Sequence, residues 1–325
     1  MGLPVYEISQ VRIYPIKSCR GISVDSAKLT VSGFQYDRKW MFVNADHKFL
    51  TIRERPQLTL VNTAIDEAAG HLNITIGTDK DKSLSLPLDP TAEWLKANTK
   101  PATVNVWDID AEALIYTDSK IQTLFREFIG QGTDVFLAVI DPDKPRACRG
   151  NAAPDVLGRK ATINFPDEMP VQIASEASIA DLNTRMKDRG LEEITIERFR
   201  PNIVIKGAEA WSEDSWKAVR INGSTAPLAS YLPSAVSSLT GSIDIDVAAR
   251  CPRCTIPNVN SETGEKSIKE PFDTLMTFRR VDEGAKWFPC FGMLCIPRTE
   301  GQVEVGMRFE VLATTQEHKF IKGYS

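Results

Sequence analysis

Short segments in which apolar and polar residues alternate recur along most of this 325-residue chain, and they constrain its fold more than any other feature. Residues 5–16 show the pattern well, because Val5, Ile8, Val11 and Ile13 follow it and all four are β-branched, as strand residues often are. Further strands are predicted at residues 28–31, 39–43, 48–52, 57–65, 71–76, 83–86, 104–107, 113–116, 135–140, 171–174, 199–205, 217–221, 243–247 and 303–312. Strands this short, separated by turn residues, indicate a barrel or a sandwich.

Two stretches show instead the 3.6-residue period of an amphipathic helix, residues 119–129 and 176–187. Residues 141–169 are polar and contain four prolines, which is typical either of a linker or of an ordered loop over a site. Residues 224–240 are rich in Ser, Ala and Pro, and we predict that they form a surface excursion.

The order of these elements predicts a mostly β fold of the α+β class, in which two β-rich modules with a few helices pack together. A chain of 325 residues is long enough for two domains or for one large β-rich unit. We place the first module at residues 1–140 and the second at residues 141–325, with their boundary somewhere between residues 141 and 175.

The charge balance excludes one class of partner. A formal net charge of -4 and a pI near 5.6 argue against a nucleic-acid-binding protein, which usually carries a basic excess. No apolar run approaches the roughly 20 residues of a membrane span, and the first ten residues fit neither a secretory signal nor a mitochondrial presequence. We therefore expect a cytoplasmic protein without a membrane span, in which the six cysteines are reduced thiols.

Cationic side chains cluster at the ends of predicted strands and at turns rather than on helix faces. The set comprises Lys17, Arg20, Arg38, Arg53, Arg55, Arg198, Arg200 and Arg253. Arginine offers a phosphate a planar fork of donors, and lysine offers it a point charge. The cluster therefore indicates an anion site, although an ordinary charged surface loop explains any one of these residues equally well.

Ser175-Glu-Ala-Ser178 follows a predicted strand and opens the second helix. Either serine suits a helix N-cap, and Ser178 with Asp181 has the spacing of a capping box. The N-terminus of a helix also presents free N–H groups and the positive end of its dipole, both of which suit a phosphate. The segment is therefore either a plain cap or part of an anion site.

The segment Cys251-Pro-Arg-Cys254 allows several kinds of chemistry. A thioredoxin-type redox pair is disfavoured because the residues that follow are typical of a loop. A zinc site with Cys290 and Cys295 would need a Cys-x4-Cys spacing at the edge of the usual patterns. The neighbouring arginines favour a lone metal-binding thiolate, and a buried, inert thiol is the ordinary alternative. The three histidines show no ligand spacing, and the sequence contains no Gly-rich nucleotide loop or nucleophile elbow.

Six motifs follow one another between residues 5 and 312. The first is Ile-Tyr-Pro-Ile-Lys-Ser-Cys-Arg-Gly, from Ile13 to Gly21. The others are Asp37-Arg-Lys-Trp40 with Thr51-Ile-Arg53, Ser175 to Asn183, Arg198-Phe-Arg-Pro-Asn202, Glu213-Asp-Ser-Trp216, and Arg253-Cys254 with Glu262-Thr-Gly264 and Lys269-Glu-Pro271. In this order they resemble the motifs of the MOSC family, and its mitochondrial amidoxime-reducing components in particular. The resemblance implies an N-terminal MOSC β-barrel module packed on a MOSC domain that is itself barrel-like.

The resemblance also implies a molybdenum cofactor, a molybdopterin whose metal is bound in addition by one cysteine. That metal ligand, and the catalytic residue, would be Cys254. The residues that would hold the pterin and its phosphate are Lys17, Ser18, Arg53, Ser175, Ser178, Arg200, Asn202 and Arg253. The implied activity is the reduction of N-hydroxylated compounds (amidoximes, hydroxylamines and N-hydroxylated bases), with electrons from NADH through cytochrome b5 and NADH-cytochrome b5 reductase.

Three departures from the family pattern concern the site, the N-terminus and one loop. Pro252 stands where the family commonly has a serine, and a proline cannot donate a backbone N–H. We find no counterpart of the family's membrane-anchored N-terminal extension, so the sequence gives no anchor for the mitochondrial outer membrane. Residues 224–240 are longer than the family's usual turn. Two other functions stay open: a carrier of molybdenum cofactor or sulfur without substrate turnover, and an interaction protein stabilised by zinc or disulfides.

Overall fold

The computed structural model describes residues 4–77, 79–222 and 241–323, so the surface excursion predicted at residues 224–240 lies outside the described residues. The strands among these residues are β1 (Val5–Ile13), β2 (Ile22–Val24), β3 (Ser26–Thr30), β4 (Gly33–Phe34), β5 (Trp40–Asn44), β6 (Val61–Asp66), β7 (His71–Ile76), β8 (Asp79–Pro87), β9 (Thr99–Val106), β10 (Ile109–Tyr116), β11 (Val135–Ile140), β12 (Arg146–Ala147), β13 (Thr162–Ile163), β14 (Val171–Ser175), β15 (Ile203–Lys206), β16 (Trp216–Asn222), β17 (Ile243–Pro252), β18 (Cys290–Pro297), β19 (Gly301–Glu304) and β20 (Arg308–Thr314). The α-helices are α1 (Ala92–Asn98), α2 (Ser119–Phe125), α3 (Pro154–Leu157), α4 (Glu176–Asp188) and α5 (Phe272–Met276).

Seven strands close into a barrel in the order β15-β14-β18-β17-β16-β20-β1. The barrel closes because β1 pairs with β20 along one edge and with β15 along the other. A register shift between Ile8 and Gln10 in the β1–β15 pair marks a bulge, which bends β1 around the barrel. The interior is filled by apolar side chains such as Ile8, Ile203 and Phe309, all of them fully buried. The predicted class, mostly β and built around a barrel, is confirmed.

A second core lies beside the barrel. It is formed by the four-stranded sheet β5-β11-β10-β9 and the three-stranded sheet β6-β7-β8. Helix α2 covers it, and the rings of Phe42 and Phe125 pack with their centroids 4.7 Å apart. The buried Trp40 indole donates a hydrogen bond to the Tyr116 hydroxyl at 3.0 Å. Strands β1 and β2 lie in the barrel sheet, so that sheet contains strands from both predicted modules. The boundary between the two modules stays a prediction.

The hairpin return predicted at residues 48–52 is confirmed only as far as Leu50. The backbone oxygen of Lys48 accepts the Asn44 N–H at 2.9 Å, and the Leu50 N–H donates to the backbone oxygen of Phe42 at 2.8 Å, but no regular strand extends to residue 52. Only isolated bridges form there, at Lys48 and Phe49. The chain then turns sharply, because the backbone oxygen of Thr51 accepts the N–H groups of Glu54 and Arg55 at 3.1 and 2.8 Å. An alternating sequence pattern cannot distinguish a strand from a turn whose side chains face a site, and this turn points Arg53 into the cavity described below.

Other elements also differ from the prediction. The strand predicted at 199–205 begins only at Ile203, and the strand predicted at 303–312 is two strands, β19 and β20. The residues that open the strand predicted at 57–65 form a 3-10 helix, Pro56–Leu60, because a proline is preorganised for a first helical turn. Helix α2 ends at Phe125 and not at residue 129, and a glycine turn follows it. The sequence did not predict α1 or α5. Among the described residues, no helix has the length and apolar character needed to cross a membrane.

Residues 141–169 form an ordered loop. Strands β12 and β13 pair within it, and Pro154–Leu157 forms a single helical turn. Cys148, Ile163 and Met169 are buried against barrel residues such as Ala249 and Leu294. The loop is therefore packed onto the barrel wall over much of its length, which the linker interpretation does not require.

Truncation of a core side chain in β1 tests whether this strand belongs to the barrel. Ile8→Ala should lower the free energy of unfolding by about 2–5 kcal/mol, because it opens a cavity in a fully buried core. Val5→Ala in the same strand is the matched control, since Val5 is 46% exposed and should change the value by less than about 0.5 kcal/mol. Urea denaturation followed by circular dichroism measures both. Equal effects would mean that β1 does not close the barrel.

Candidate functional site

A cavity of about 490 Å3 opens where the barrel meets the second core. All but two of the predicted site residues lie in its wall: Lys17, Ser18, Arg53, Arg200, Asn202, Arg253 and Cys254. Arg38 belongs to the wall as well, whereas the other clustered cations, Arg20, Arg55 and Arg198, do not. The wall also contains residues that sequence reasoning did not single out, among them Trp107, Asp167, Glu168, Trp287, Phe288 and Phe320.

Cys254 lies just beyond the end of β17, and its thiol is accessible from the cavity. It is partly exposed, whereas the other five cysteines are buried. The Arg53 guanidinium donates to the Cys254 sulfur at 3.1 Å and stacks on the Trp107 ring with 4.2 Å to the ring centroid. The sulfur therefore faces the cavity with a fixed positive charge beside it, which suits a thiolate that binds a soft metal.

Lys17 and Asp167 form an ion pair across the cavity wall. The ammonium also donates to the backbone oxygen of Phe165 at 2.7 Å. Burial lowers the pKa of Lys17 to about 8, although the Asp167 charge opposes this change. Burial acts to raise the pKa of Asp167, but the charges of Lys17 and Arg53 hold it well below its ordinary value. An anion at this wall would therefore have to share Lys17 with a carboxylate of the chain.

Two arginines of the wall stack on the buried Tyr14 ring. The guanidinium carbons of Arg38 and Arg200 each lie 4.3 Å from the ring centroid. The Tyr14 hydroxyl donates to the backbone oxygen of Pro201 at 3.2 Å, which fixes the ring. A Cβ at Gly21 would approach that ring within 3.0 Å, so only glycine leaves room for it. The motif from Ile13 to Gly21 therefore builds the support for both arginines.

Arg200 retains an unused donor. Its Nη1 donates to the backbone oxygen of Cys19 at 2.8 Å, while its buried Nη2 has no hydrogen-bond partner among the described residues. Burial, and after it the charge of Arg38, lowers the pKa of Arg200 to about 10. A buried donor of this kind on a cation favours an anionic ligand, because that ligand would satisfy the hydrogen bond and the charge together.

The backbone at the cavity is strained. Ser18, Arg38, Trp107 and Arg200 are not glycines, yet all four adopt positive φ angles, of 68°, 44°, 55° and 60°. Left-handed non-glycine residues cost free energy and concentrate at functional sites. Residue patterns do not reveal this strain, so the sequence could not have indicated it.

Arg253 and Asn202 act as braces for the wall. The Arg253 guanidinium donates to Gln172 Oε1 at 3.0 Å, to the Cys251 sulfur at 3.0 Å and to the backbone oxygen of Phe199 at 2.8 Å. The Asn202 amide oxygen accepts from the Gln172 N–H at 3.1 Å and from Arg38 at 3.2 Å. Most donors of these two groups already bind the chain, and of them Arg253 Nε alone has no partner among the described residues, so both residues mainly hold the wall in place.

The structure does not bring Ser175 and Ser178 together with the other predicted site residues. Both are fully buried. The Ser175 hydroxyl accepts the Ala177 N–H at 3.2 Å as the N-cap of α4. The Ser178 hydroxyl donates to Glu213 Oε1 at 2.6 Å and accepts the Trp211 N–H at 2.8 Å. Both hydroxyls are therefore used in holding α4 against its neighbours.

The cysteines give no support to zinc or disulfide stabilisation. All six are free thiols. In the part of the chain that the structure describes, no three His, Cys, Asp or Glu side chains come together as a metal site. Burial raises the pKa of Cys251, with Arg253 opposing, so this thiol differs in character from the accessible Cys254.

The cavity fits an anionic group that also carries a soft metal. Its cations are Lys17, Arg38, Arg53, Arg200, Arg253, Lys286 and Lys322, and its carboxyl groups are Asp167 and Glu168. This excess of positive charge lies in a chain with a formal net charge of -4. The buried amide nitrogen of Gln172, like Arg200 Nη2, has no hydrogen-bond partner among the described residues. Arg253 Nε is a third such donor in the wall. Unused donors, a cationic wall and an accessible thiol are the features that an anionic metal cofactor requires.

Family models match two parts of the chain. One described as the MOSC N-terminal beta barrel domain matches residues 5–132, and one described as the MOSC domain matches residues 160–310. The chain is 32% identical to mitochondrial amidoxime reducing component 2 of Bos taurus over 92% of this chain and 81% of that protein. It is 28% identical to mitochondrial amidoxime-reducing component 1 of Homo sapiens over 92% of this chain and 81% of that protein. The molybdenum cofactor sulfurase of Oryza sativa subsp. japonica is 32% identical over 84% of this chain, which spans 31% of the sulfurase.

Removal of the Ser178 hydroxyl tests its structural role. Ser178→Ala should lower the free energy of unfolding by about 2–3 kcal/mol, because it leaves the buried Glu213 carboxyl without its donor. Ser212→Ala is the control, since the Ser212 hydroxyl makes only an exposed bond to a backbone oxygen. Thermal and urea unfolding measure both. An effect of Ser178→Ala as small as that of the control would contradict the structural role of this hydroxyl.

Glu168 should make the stability of the protein depend on pH. Burial raises its pKa from 4.5 to about 7, although the Gly323 N–H opposes this change, so between these values the folded state binds more protons than the unfolded state. The carboxyl therefore lowers the stability progressively as the pH rises from about 4.5 to about 7. Glu168→Gln should raise the melting temperature more at pH 8 than at pH 5. The exposed Glu317→Gln is the control, and a Glu168→Gln effect that is the same at both pH values would contradict the assignment.

Proposed function

We propose the function of this protein on the basis of its family. The chain belongs to the MOSC-domain proteins, which include the mitochondrial amidoxime-reducing components. The protein is a molybdenum-cofactor-dependent reductase of N-hydroxylated compounds, such as amidoximes and hydroxylamines. The names of its relatives in Bos taurus and Homo sapiens support amidoxime reduction, and that of the relative in Oryza sativa supports a molybdenum cofactor. The observation that carries the proposal is the accessible Cys254 thiol, held beside Arg53 in a cavity whose wall is mainly cationic.

The residues of the cavity divide the work of holding the cofactor. Cys254 binds the metal through its sulfur. Arg200, with its unused Nη2 donor, together with Arg53, Lys17 and Ser18, binds the pterin and its phosphate. Asn202 and Arg253 keep these groups in position through their bonds to the neighbouring strands. Ser175 and Ser178 hold helix α4 in place and make no contact with the cofactor.

The reaction consumes two electrons and two protons. The N–O bond of the substrate breaks, the nitrogen gains a hydrogen, and the oxygen leaves as water. The bound cofactor supplies the two-electron reduction, and the chain supplies the position of the substrate and an acid. Glu168 is the acid of this cavity that suits neutral pH, because its pKa is raised to about 7 by burial. We infer from the resemblance to the family that the electrons come one at a time from NADH through cytochrome b5 and its reductase. The exposed cations at the cavity, Lys286 and Lys322, favour an acidic redox partner.

The alternative is a carrier that binds molybdenum cofactor and releases it without turning over a substrate. The similarity to the sulfurase supports it, because this chain matches a part of that protein. A carrier needs the same anion site and thiol but no substrate subsite. The two functions therefore differ in turnover and not in cofactor content.

Replacement of the two cysteines tests the proposal. Cys254→Ala should lower the rate of benzamidoxime reduction by more than about 100-fold, because the metal loses its protein ligand. Loss of a residue that only supports a metal ligand costs roughly 10–100-fold. Cys251→Ala is the matched control, since that thiol is buried and braced by Arg253. Purified holo-protein is assayed for molybdenum, pterin, and NADH consumption in the presence of cytochrome b5 and its reductase. Similar activity in the two variants would overturn the ligand assignment. Molybdenum-loaded protein that reduces no amidoxime or hydroxylamine, yet delivers its cofactor to an apo-enzyme, would establish the carrier.

A further inference from the structure

The chain does not end at the last barrel strand. After β20, residues 315–323 continue without helix or strand, and we call them the C-terminal tail. The Thr315 N–H donates to the backbone oxygen of Ser215 at 2.7 Å, and His318 Nε2 lies 2.6 Å from the backbone oxygen of Trp216. The tail is therefore anchored to the barrel where it begins.

Side chains from two separate loops hold the tail further along. The Asn151 amide donates to the backbone oxygen of Lys319 at 2.8 Å and accepts the Ile321 N–H at 2.7 Å. This arrangement imitates the pairing of a neighbouring strand. Asp282 Oδ1 accepts the Phe320 N–H at 2.8 Å, and the Asp282 carboxylate is itself buried. The backbone of the tail is therefore fixed from both sides around Phe320.

Two glycines make room for the tail. A Cβ added at Gly150 would come within 3.0 Å of the backbone oxygen of Ile321, and one added at Gly284 would come within 3.0 Å of the backbone oxygen of Phe320. Gly150 and Gly284 belong to the two loops that supply Asn151 and Asp282. Since any larger residue would displace the tail, both loops are shaped to receive it.

The tail brings Phe320 to the same cavity as Cys254. The loop beneath the tail brings two more aromatic residues to that cavity, Trp287 and Phe288. They are 78% and 47% exposed, which leaves a large apolar surface open to solvent beside a cationic wall. When a planar apolar group covers exposed aromatic faces in a cavity, the free energy of the complex is lowered.

We propose that the C-terminal tail determines substrate specificity: Phe320, together with Trp287 and Phe288, forms a subsite that binds the aromatic part of aryl N-hydroxylated compounds. This inference rests on the proposed function. The apolar subsite holds the aryl group, while the cationic wall holds the cofactor. The continuity of the aromatic residues with the cavity of Cys254 favours a small aromatic molecule over a partner protein as the occupant.

The experiment compares two amidoximes that share the reacting group. Benzamidoxime carries a phenyl ring where acetamidoxime carries a methyl group. Phe320→Ala should lower the kcat/KM preference for benzamidoxime over acetamidoxime about three- to tenfold, the range that an aromatic contact contributes, chiefly through KM. Ile321→Ala is the matched control, because its side chain lies in the same tail but not in the cavity wall, and it should retain the wild-type preference. An unchanged preference in Phe320→Ala would overturn the subsite.

A binding measurement keeps the test independent of turnover. Calorimetry with benzamidine and acetamidine on purified holo-protein should show weaker benzamidine binding in Phe320→Ala and in Asn151→Ala, which releases the tail without changing an aromatic residue. Melting curves identify any variant that fails to fold. Equal benzamidine affinity in the wild type and both variants would overturn the proposal. Wild-type protein that reduces neither amidoxime would overturn the reductase function, while the benzamidine affinities would still decide whether the aromatic subsite exists.

Discussion

Closure of the barrel through β1 is the constraint on which the site depends. Strand β1 is antiparallel to β15, with Val11 opposite Ile203, and β15 is parallel to β14, with Ile203 opposite Ile173. The end of β1 and the starts of β14 and β15 therefore lie at one edge of the barrel. Segments that are far apart in the sequence leave the barrel at this edge, and they supply Lys17, Asp167 and Arg200 to one cavity. If β1 belonged only to a separate N-terminal module, these groups would not meet.

This geometry brings the cations of the cavity wall close together, and their repulsion opposes folding. Aromatic and carboxylate partners reduce that repulsion. Arg38 and Arg200 share the Tyr14 ring, and Asp37 forms an ion pair with Arg38. Asp167 plays the same part for Lys17. The compensation stops at Arg200 Nη2, which has no hydrogen-bond partner among the described residues. A bound anion would relieve the remaining repulsion, so binding and stability should be linked at this wall.

The sequence predicted the barrel class, and most of the residues it singled out line one cavity, for physical reasons that do not extend to the rest. Strand periodicity reports which face of a segment is buried, so the β-rich fold could be predicted from it. The same periodicity predicted too long a strand at residues 48–52, where pairing with β5 ends at Leu50 and a turn held by Thr51 presents Arg53 to the cavity. Motif resemblance identified Lys17, Arg200 and Cys254 as neighbours. It could not show that the hydroxyls of Ser175 and Ser178 are used within the fold, since a helix cap and an anion site require the same residues.

Pairings between distant segments could not be predicted from the sequence either. Lys17 and Asp167 are 150 residues apart, and nothing local in either segment indicates the other. The positive φ angles of Ser18 and Arg200 depend on the surrounding packing and not on residue type. Both features belong to the assembled cavity, which explains why reasoning from local patterns located the site but not its electrostatics or its strain.

The tail extends this argument to substrate choice. The family models end at residues 132 and 310, so residues 315–323 lie outside both matches. An extended segment without a helical or strand period gives no sequence signal, yet this one is received by glycines in two loops and held by Asn151 and Asp282. The groups proposed to hold the cofactor lie in the motif segments, whereas Phe320 and Trp287 lie outside them. The cofactor-holding residues and the aromatic residues are carried by different parts of the chain. Substitutions of the aromatic residues can therefore change substrate specificity without changing the residues that hold the cofactor.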